Sequence, residues 1–340
     1  MDAGLFIFKR QSPTTSENIL SLAQTTNRLK KLFFILLLFP YFGMSQNYVD
    51  LLKIGYSQTF NNDFEGTTES TQVSAIEVDL TFPVVLNEKH ALITGVAFSR
   101  NELELFPSGG IQPFHNGMDT DASTRLYSTL LKIGLASKLS EKWSTTMVLL
   151  PKIASDYQNI SGDDFYIGGF ALLKLQKKEN LIYRFGAYGS AEAFGFFGTP
   201  IIGWYYLSPS GQFEMDMSLP ISADINYTRG DFTYGLDYYG IGRSFNINEN
   251  DASIYADLSS LEFASYVQYN AFDKSVLLRA KFGYASNDYE VYAQGETIDL
   301  GLSAFSFGDE RTQLNPSISG GFFLKFEALY RFDIGSKKED

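Results

Sequence analysis

The chain of 340 residues contains no cysteine and only two histidines and two tryptophans. Without cysteine it has no disulfide framework, and no thiolate that could serve as a nucleophile or a metal ligand. The two histidines, His90 and His115, stand far apart in the sequence, and neither has a second histidine at a metal-binding spacing. The sequence therefore predicts no catalytic residue, no metal site and no cofactor.

Positive charge is also scarce, because 27 lysines and arginines stand against 39 aspartates and glutamates, a formal net charge of −12. A nucleic-acid partner is not expected, since such proteins need lysine and arginine to neutralise phosphates. The mean hydropathy of −0.10 is too low for a helical membrane protein. A membrane β-barrel is compatible with that value, because every second residue of its strands is polar.

Aromatic residues are abundant, with 30 phenylalanines and 21 tyrosines, which suits strands and the aromatic girdles of membrane barrels. Residues 321–332 read G-F-F-L-K-F-E-A-L-Y-R-F. Because strand side chains alternate between two faces, one face carries Phe322, Leu324, Phe326, Ala328, Tyr330 and Phe332. The other face carries Lys325, Glu327 and Arg331. About a dozen such segments follow one another, each long enough to cross a bilayer at a tilt.

A secretion signal is predicted before these segments. Arg28, Lys30 and Lys31 form a basic region, and the apolar residues 32–39 that follow are too few to span a membrane as a helix. Small residues at 43 and 45 then predict cleavage before Gln46. The alternative interpretation makes 32–39 a buried element of a soluble protein.

These signals divide the chain into four parts. Residues 1–27 are an upstream extension that is either not translated or disordered, and residues 28–45 are the signal peptide. Residues 46–333 form an outer-membrane β-barrel, and residues 334–340 form a periplasmic tail. The predicted location is the outer membrane, with membrane lipid as partner and the barrel-assembly machinery needed during biogenesis.

Short turns and long loops alternate after Tyr48, as expected for short periplasmic turns and long outer loops. The predicted fold is an all-β, antiparallel up-and-down transmembrane barrel of about fourteen strands, with twelve as the alternative. The strands are placed near 49–60, 71–84, 90–100, 123–138, 142–155, 165–176, 181–192, 200–207, 212–219, 221–227, 232–247, 260–270, 275–291 and 318–332. A soluble β-sandwich would not usually need so many consecutive long strands.

The alternation places many charged residues in the lumen. Candidate acids are Glu77, Asp79, Glu214, Asp216, Asp224, Asp237 and Glu262. Candidate bases are Lys53, Lys132, Lys138, Lys174, Arg184, Arg243, Arg279, Lys281, Lys325 and Arg331. If opposite walls stay apart, water fills the lumen and the charges orient polar solutes. If the walls approach, the charges pair and lock the lumen. The third and fifth strands alternate too poorly to show which residues face inward.

Several segments resemble a family of uncharacterised outer-membrane barrels, a domain of unknown function from Gram-negative bacteria. They are L-L-K-I-G-L-A-S-K-L-S-E-K-W (130–143), P-K-I-A-S-D-Y with D-D-F (151–157 and 163–165), T-P-I-I-G-W-Y-Y (199–206) and M-S-L-P-I-S-A-D-I-N-Y (217–227). The resemblance covers roughly residues 46–333. It implies the barrel fold and no particular activity.

Three classes of function follow. The first is a non-enzymatic, porin-like barrel that passes small solutes or apolar molecules, or that serves as an envelope component. The second is an outer-membrane enzyme acting on lipid, which would require a partner side chain near His115. The third is an adhesive barrel that binds a surface partner through the long loops 101–122 and 293–317. The sequence leaves the oligomeric state open.

Overall fold

A computed structural model describes residues 48–108, 123–248, 253–303 and 305–333. The predicted upstream extension, signal peptide and tail, and also His115, lie outside the described residues. No helix within the described ranges is long and apolar enough to cross a membrane.

Fourteen antiparallel strands form one sheet that closes on itself. They are β1 (Tyr48–Phe60), β2 (Ser74–Val85), β3 (His90–Leu103), β4 (Thr124–Lys138), β5 (Trp143–Ser155), β6 (Phe165–Lys178), β7 (Leu181–Glu192), β8 (Gly195–Leu207), β9 (Phe213–Leu219), β10 (Ser222–Arg229), β11 (Phe232–Ile247), β12 (Ile254–Ala271), β13 (Val276–Ala285 and Asp288–Ala293) and β14 (Gly321–Asp333). The two parts of β13 are one barrel strand, because both pair with β12. Closure comes from β1, which pairs with β2 on one side and with β14 on the other.

The predicted fold and strand number are confirmed. Three details of the predicted strands and loops are corrected. The long loop expected at 193–199 is a tight turn, because β8 begins at Gly195 and pairs with β7 from there. The twelfth strand begins at Ile254 rather than near 260, since it follows β11 to the end of that strand. The thirteenth strand is interrupted at Ser286 and Asn287.

The two faces of the barrel wall are inverted relative to a soluble protein. Along β14, Phe326 is 58% exposed on the outer face, whereas the neighbouring Lys325 and Glu327 are 5% and 4% exposed on the inner face. Large apolar side chains are exposed in the same way on most other strands, including Leu131, Met147, Leu236 and Phe282. Such a continuous apolar surface is unstable in water and is what lipid requires, so the strands span a membrane.

The β9–β10 hairpin is much shorter than its neighbours and turns at Leu219–Pro220, so the wall has a gap above it. Two elements occupy this region at the outer end. The short strand Leu300–Leu302, which pairs with Phe305–Phe307, runs parallel to the upper part of β8. The upper part of β11 reaches the opposite wall, where Asn246 pairs with Ser155 of β5. The outer end of the barrel is therefore narrower than its middle.

Two smaller elements complete the outer loops. The first loop contains a hairpin of Asn62–Asp63 with Ser70–Thr71. The loop before β6 contains a short 3-10 helix, Gly162–Asp164, which begins with a capping box at Ser161.

Close strand approach at Gly203 gives the first prediction. A Cβ atom at Gly203 of β8 would lie 1.9 Å from the carbonyl oxygen of Met217 on β9. Gly203→Ala must therefore move a strand, and we expect the free energy of unfolding to fall by about 1–3 kcal/mol. Urea unfolding of the barrel in lipid vesicles, followed by tryptophan fluorescence, measures this change.

The matched control is Gly242→Ala on β11, because a Cβ there has no neighbouring atom within 4 Å. We expect that substitution to change the free energy of unfolding by no more than about 0.5 kcal/mol. Equal losses in the two variants would contradict the close approach at Gly203.

Candidate functional site: the barrel lumen

A hydrogen bond joins opposite walls at the periplasmic end of the lumen. The hydroxyl of Tyr48 at the start of β1 donates to Oε1 of Glu214 on β9 at 2.5 Å. Five strands lie between β1 and β9 on one side of the barrel and seven on the other. The guanidinium of Arg331 lies 3.5 Å from the centre of the Tyr48 ring and donates to both oxygens of Asp50 at 2.6 and 3.0 Å. This group connects opposite walls at the lower end of the lumen.

A second contact between opposite walls lies higher in the lumen. Nη1 of Arg243 on β11 donates to Oγ of Ser99 on β3 at 3.2 Å. These two strands are again separated by five strands on one side and seven on the other. Arg243 also lines a small cavity together with Glu77 and Glu262.

Between these levels, ion pairs link β13, β14, β1 and β2. Glu327 has a fully buried side chain and lies 2.8 Å from Lys53 and 3.1 Å from Lys281. Nζ of Lys325 lies 2.6 Å from Glu77, and Gly55 of β1 leaves room for this pair to pass over its strand. At this level Glu327 and Glu77 each have a base within ion-pair distance.

The same network extends to β10 and β11. Arg279 approaches Asp224 at 3.6 Å and stacks on the ring of Tyr266, at 4.1 Å from its centre. The Tyr266 hydroxyl donates to both oxygens of Asp224 at 2.9 and 3.0 Å. Asp237 accepts from Lys281. Charged side chains on this side of the lumen thus lie within ion-pair distance of groups of opposite charge.

Three further pairs each cross one intervening strand. Nζ of Lys132 on β4 donates to both oxygens of Asp79 on β2 at 2.5 and 2.7 Å. Arg184 on β7 pairs with Asp216 on β9.

The third pair is the most buried. Nζ of Lys152 on β5 donates to both oxygens of Glu192 on β7 at 2.6 and 2.7 Å. Glu192 also accepts from the backbone and hydroxyl of Ser244 at 3.0 and 2.9 Å. The pair thereby ties β5 and β7 to the inward-bent end of β11.

Beside the Lys152–Glu192 pair, the outer end of the lumen contains a large cluster of buried apolar side chains. They come from β3 to β6, from β11 to β13 and from the outer loops: Phe64, Val73, Leu103, Leu105, Phe106, Leu126, Ala154, Tyr166, Phe245, Ile247, Ile254, Ala256, Leu258, Tyr289, Val291 and Ile318. Phe245, Ile247 and Ile254 have no exposed surface. These residues form the outer apolar cluster.

The candidate lumen residues differ in what they contact. Glu262 lies 3.9 Å from Lys325, which places it at the edge of the network. Lys138 and Lys174 have no carboxylate within 4 Å among the described residues. Sequence reasoning missed Lys152 and Ser99 because they lie on β5 and β3, the two strands whose alternation was too poor to read. It also missed Tyr48, and nothing in the sequence marks a contact with Glu214.

The outer loops carry two groups of carboxylates, D-T-D (119–121) and S-G-D-D (161–164), whose oxygens suit a hard cation such as Ca²⁺. Oδ1 of Asp164, in S-G-D-D, accepts from the amide groups of Asn246 and Asn248 at 2.9 and 3.2 Å. Residues 119–121 lie outside the described part of the chain, as does the only outer-loop histidine.

The deep pair between Lys152 and Glu192 gives the second prediction. Both side chains are almost fully buried, at 7% and 1% exposure. Glu192→Gln leaves a buried ammonium without a counter-charge, so we expect a loss of about 3–5 kcal/mol in the free energy of unfolding. Urea titration of the vesicle-embedded barrel measures the loss.

The exposed pair of Arg125 with Glu102 is the control. Because Arg125 is largely in water, Arg125→Gln is expected to lower stability by at most about 1 kcal/mol. A loss from Glu192→Gln as small as that of the control would show that the deep pair does not hold the lumen together.

Comparison with known proteins finds one partial family match and several distant structural similarities. Residues 113–274 match a family described as a domain of unknown function, DUF6268. No curated protein matches the chain. The NanC porin is 9% identical over 82% of this chain and 98% of that chain, with a TM-score of 0.33. The toluene transporter TodX of P. putida is 10% identical over 85% and 90%, with a TM-score of 0.36.

The β domain of the Bordetella autotransporter BrkA is 12% identical over 84% of this chain and all of that chain, with a TM-score of 0.30. Likeness at this level supports no inference about what this protein binds or transports. The family match is narrower than the resemblance over 46–333, but it includes every motif that carried the resemblance. Together with the closed barrel, it supports the expected kinship with an uncharacterised family of outer-membrane barrels.

Proposed function

We propose that this protein is a non-enzymatic barrel of the outer membrane, delivered there by a signal peptide at 28–45, that passes small solutes and is closed at rest. The observation that carries the proposal is the pair of hydrogen bonds between opposite walls, Tyr48 with Glu214 and Arg243 with Ser99. A lumen of fourteen strands is wide enough for a channel, so direct contact between its walls requires specific side chains to reach across.

The chemistry of the lumen favours gated passage over a permanently packed structure. Burying paired charges is no more stabilising than filling the same space with apolar residues. The outer apolar cluster shows that this chain does use apolar packing at one level of the barrel. The paired charges on the periplasmic side of this cluster are therefore suited to a lumen that fills with water when the walls separate.

Weakening the cross-lumen contacts should open the barrel, which is the third prediction. Tyr48→Phe removes the hydroxyl that reaches Glu214 but keeps the ring beneath Arg331, and Ser99→Ala removes the partner of Arg243. A hydrogen bond to a charged group contributes about 1.5–3 kcal/mol. Each substitution should therefore raise the ratio of open to closed states roughly tenfold or more. Single-channel current of the purified, refolded protein in a planar bilayer measures this ratio.

Tyr56→Phe is the matched control, since its hydroxyl lies on the outer face of β1 and bonds only to Gln58. Currents through an open lumen should also change their ion preference in Asp216→Asn and Arg279→Gln. Large, steady currents in the unmodified protein would contradict closure at rest. Folded variants that never conduct would contradict transport and favour a structural role in the envelope.

Passage of apolar molecules is a second candidate, and the wall above the β9–β10 hairpin favours it. The strand pair Leu300–Leu302 and Phe305–Phe307 occupies that region of the wall and exposes all four of its large apolar residues, Leu300, Leu302, Phe305 and Phe307. It is held to β8 by two backbone pairings, by the Ser303 amide donating to the Gly198 carbonyl at 2.9 Å, and by a hydrogen bond between the Ser303 and Thr199 hydroxyls at 2.6 Å. Movement of this short element would connect the outer apolar cluster with lipid.

Cross-linking tests this route and gives the fourth prediction. The chain has no native cysteine, so Phe197→Cys with Gly301→Cys, at paired Cα positions, forms a single defined disulfide. We expect the oxidised protein to slow uptake of an apolar fluorescent dye into vesicles severalfold, and reduction to restore it. Equal uptake in the oxidised and reduced states would exclude movement at this position.

A further inference from the structure

A cavity opens at the periplasmic end of β4 to β7, on the lumen side of the wall. Its lining includes Ser140, Glu141 and Lys142 of the exposed turn between β4 and β5, so it reaches the surface. Deeper in, it is lined by Lys138, Ser144, Lys174 and Arg184. The cavity is separate from the Tyr48–Glu214 contact and from the outer apolar cluster.

The register of the sheet aligns these deeper residues in one row across four strands. Lys138 of β4 pairs with Ser144 of β5, Ser144 pairs with Lys174 of β6, and Lys174 pairs with Arg184 of β7. Directly paired residues on one face of a sheet bring their Cβ atoms to about 4.5–5.5 Å. Two lysines and an arginine therefore crowd the same wall, with a serine hydroxyl between the first two.

The charges of this row are not balanced. Arg184 is paired with Asp216, and Glu141 is the only carboxylate among the lining residues. Within the described residues, Lys138 and Lys174 have no carboxylate within 4 Å, whereas the lumen lysines at 53, 132, 152, 281 and 325 all have one. Counting Lys138, Lys142, Lys174 and Arg184 against Glu141 and Asp216 leaves an excess of two positive charges in an acidic protein.

Like charges side by side on a partly buried wall oppose folding unless an anion accompanies them. Lysine ammonium groups with nearby hydroxyls are ligands that suit the oxygens of a phosphate group. We propose that this cavity binds a small oxyanion of the phosphate class from the periplasmic side. Binding at this site does not depend on whether the barrel conducts. An experiment can therefore disprove this site without disproving the proposed transport, and the reverse also holds.

Tryptophan fluorescence can report binding directly, because Trp143 lines the cavity and the only other tryptophan is Trp204. In a Trp204→Phe background, the refolded protein is titrated with pyrophosphate in vesicles of zwitterionic phosphatidylcholine. We expect a saturable change in Trp143 emission. Lys138→Gln and Lys174→Gln should each weaken the apparent affinity about tenfold, and the double variant more.

Lys177→Gln is the matched control, because it removes the same charge from the same end of β6 but lies outside the cavity lining. Its affinity should stay within about twofold of the parent. Equal weakening by Lys177→Gln and Lys174→Gln would reduce the effect to general surface charge and overturn the site. Heat-modifiable migration on gels shows that each variant is folded.

The source of the oxyanion is decided by a second vesicle series. A response to pyrophosphate in phosphatidylcholine vesicles supports a soluble ligand. A response that instead requires phosphatidylglycerol, without added pyrophosphate, and that Lys174→Gln abolishes, assigns the site to a lipid phosphate. No response in either series would overturn the proposal.

Discussion

The structure depends on one constraint, which is that lipid surrounds the barrel wall and offers no partner for a polar group. Backbone amides and carbonyls that face lipid must then be paired within the sheet, and the pairing of β1 with β14 closes the sheet into a barrel. The same constraint sends charged side chains inward. On β14 it produces the strict alternation in which Phe322, Phe326 and Tyr330 are exposed while Lys325 and Glu327 are buried.

Sending charges inward creates a second problem, because ionised groups enclosed by a barrel need partners. The chain solves it largely by pairing acids and bases that lie on different strands, as Lys325 with Glu77 and Lys152 with Glu192. These pairs pass over intervening strands and hold the walls at fixed separations. Lys138 and Lys174 depart from this arrangement, because neither has a carboxylate partner among the described residues. This excess of positive charge distinguishes the proposed binding site from the structural ion pairs.

The outer end follows a different physical rule from the rest of the lumen. The short β9–β10 hairpin removes part of the wall, and β11 bends inward until Asn246 pairs with Ser155. This narrowing brings Phe245 and Ile247 against residues of the outer loops, where apolar packing excludes water. The barrel therefore combines a lumen of paired charges with a small apolar core at its outer end. The short strand pair Leu300–Leu302 and Phe305–Phe307 lies beside that core.

The sequence by itself determined the fold class, the number of strands and most of their limits, because period-two alternation and turn residues are local signals. From the same alternation it also predicted inward positions for many charged residues. It did not determine which charges meet. Where alternation was weak, as on β3 and β5, even the inward residues Ser99 and Lys152 were missed.

Only the tertiary structure decided which side chains meet across the lumen. The contact of Tyr48 with Glu214 joins residues 166 positions apart on strands separated by five others, and no local pattern in the chain marks it. Strand periodicity fixes which side of the wall a residue faces, whereas the distance between opposite walls is set by the whole sheet at once.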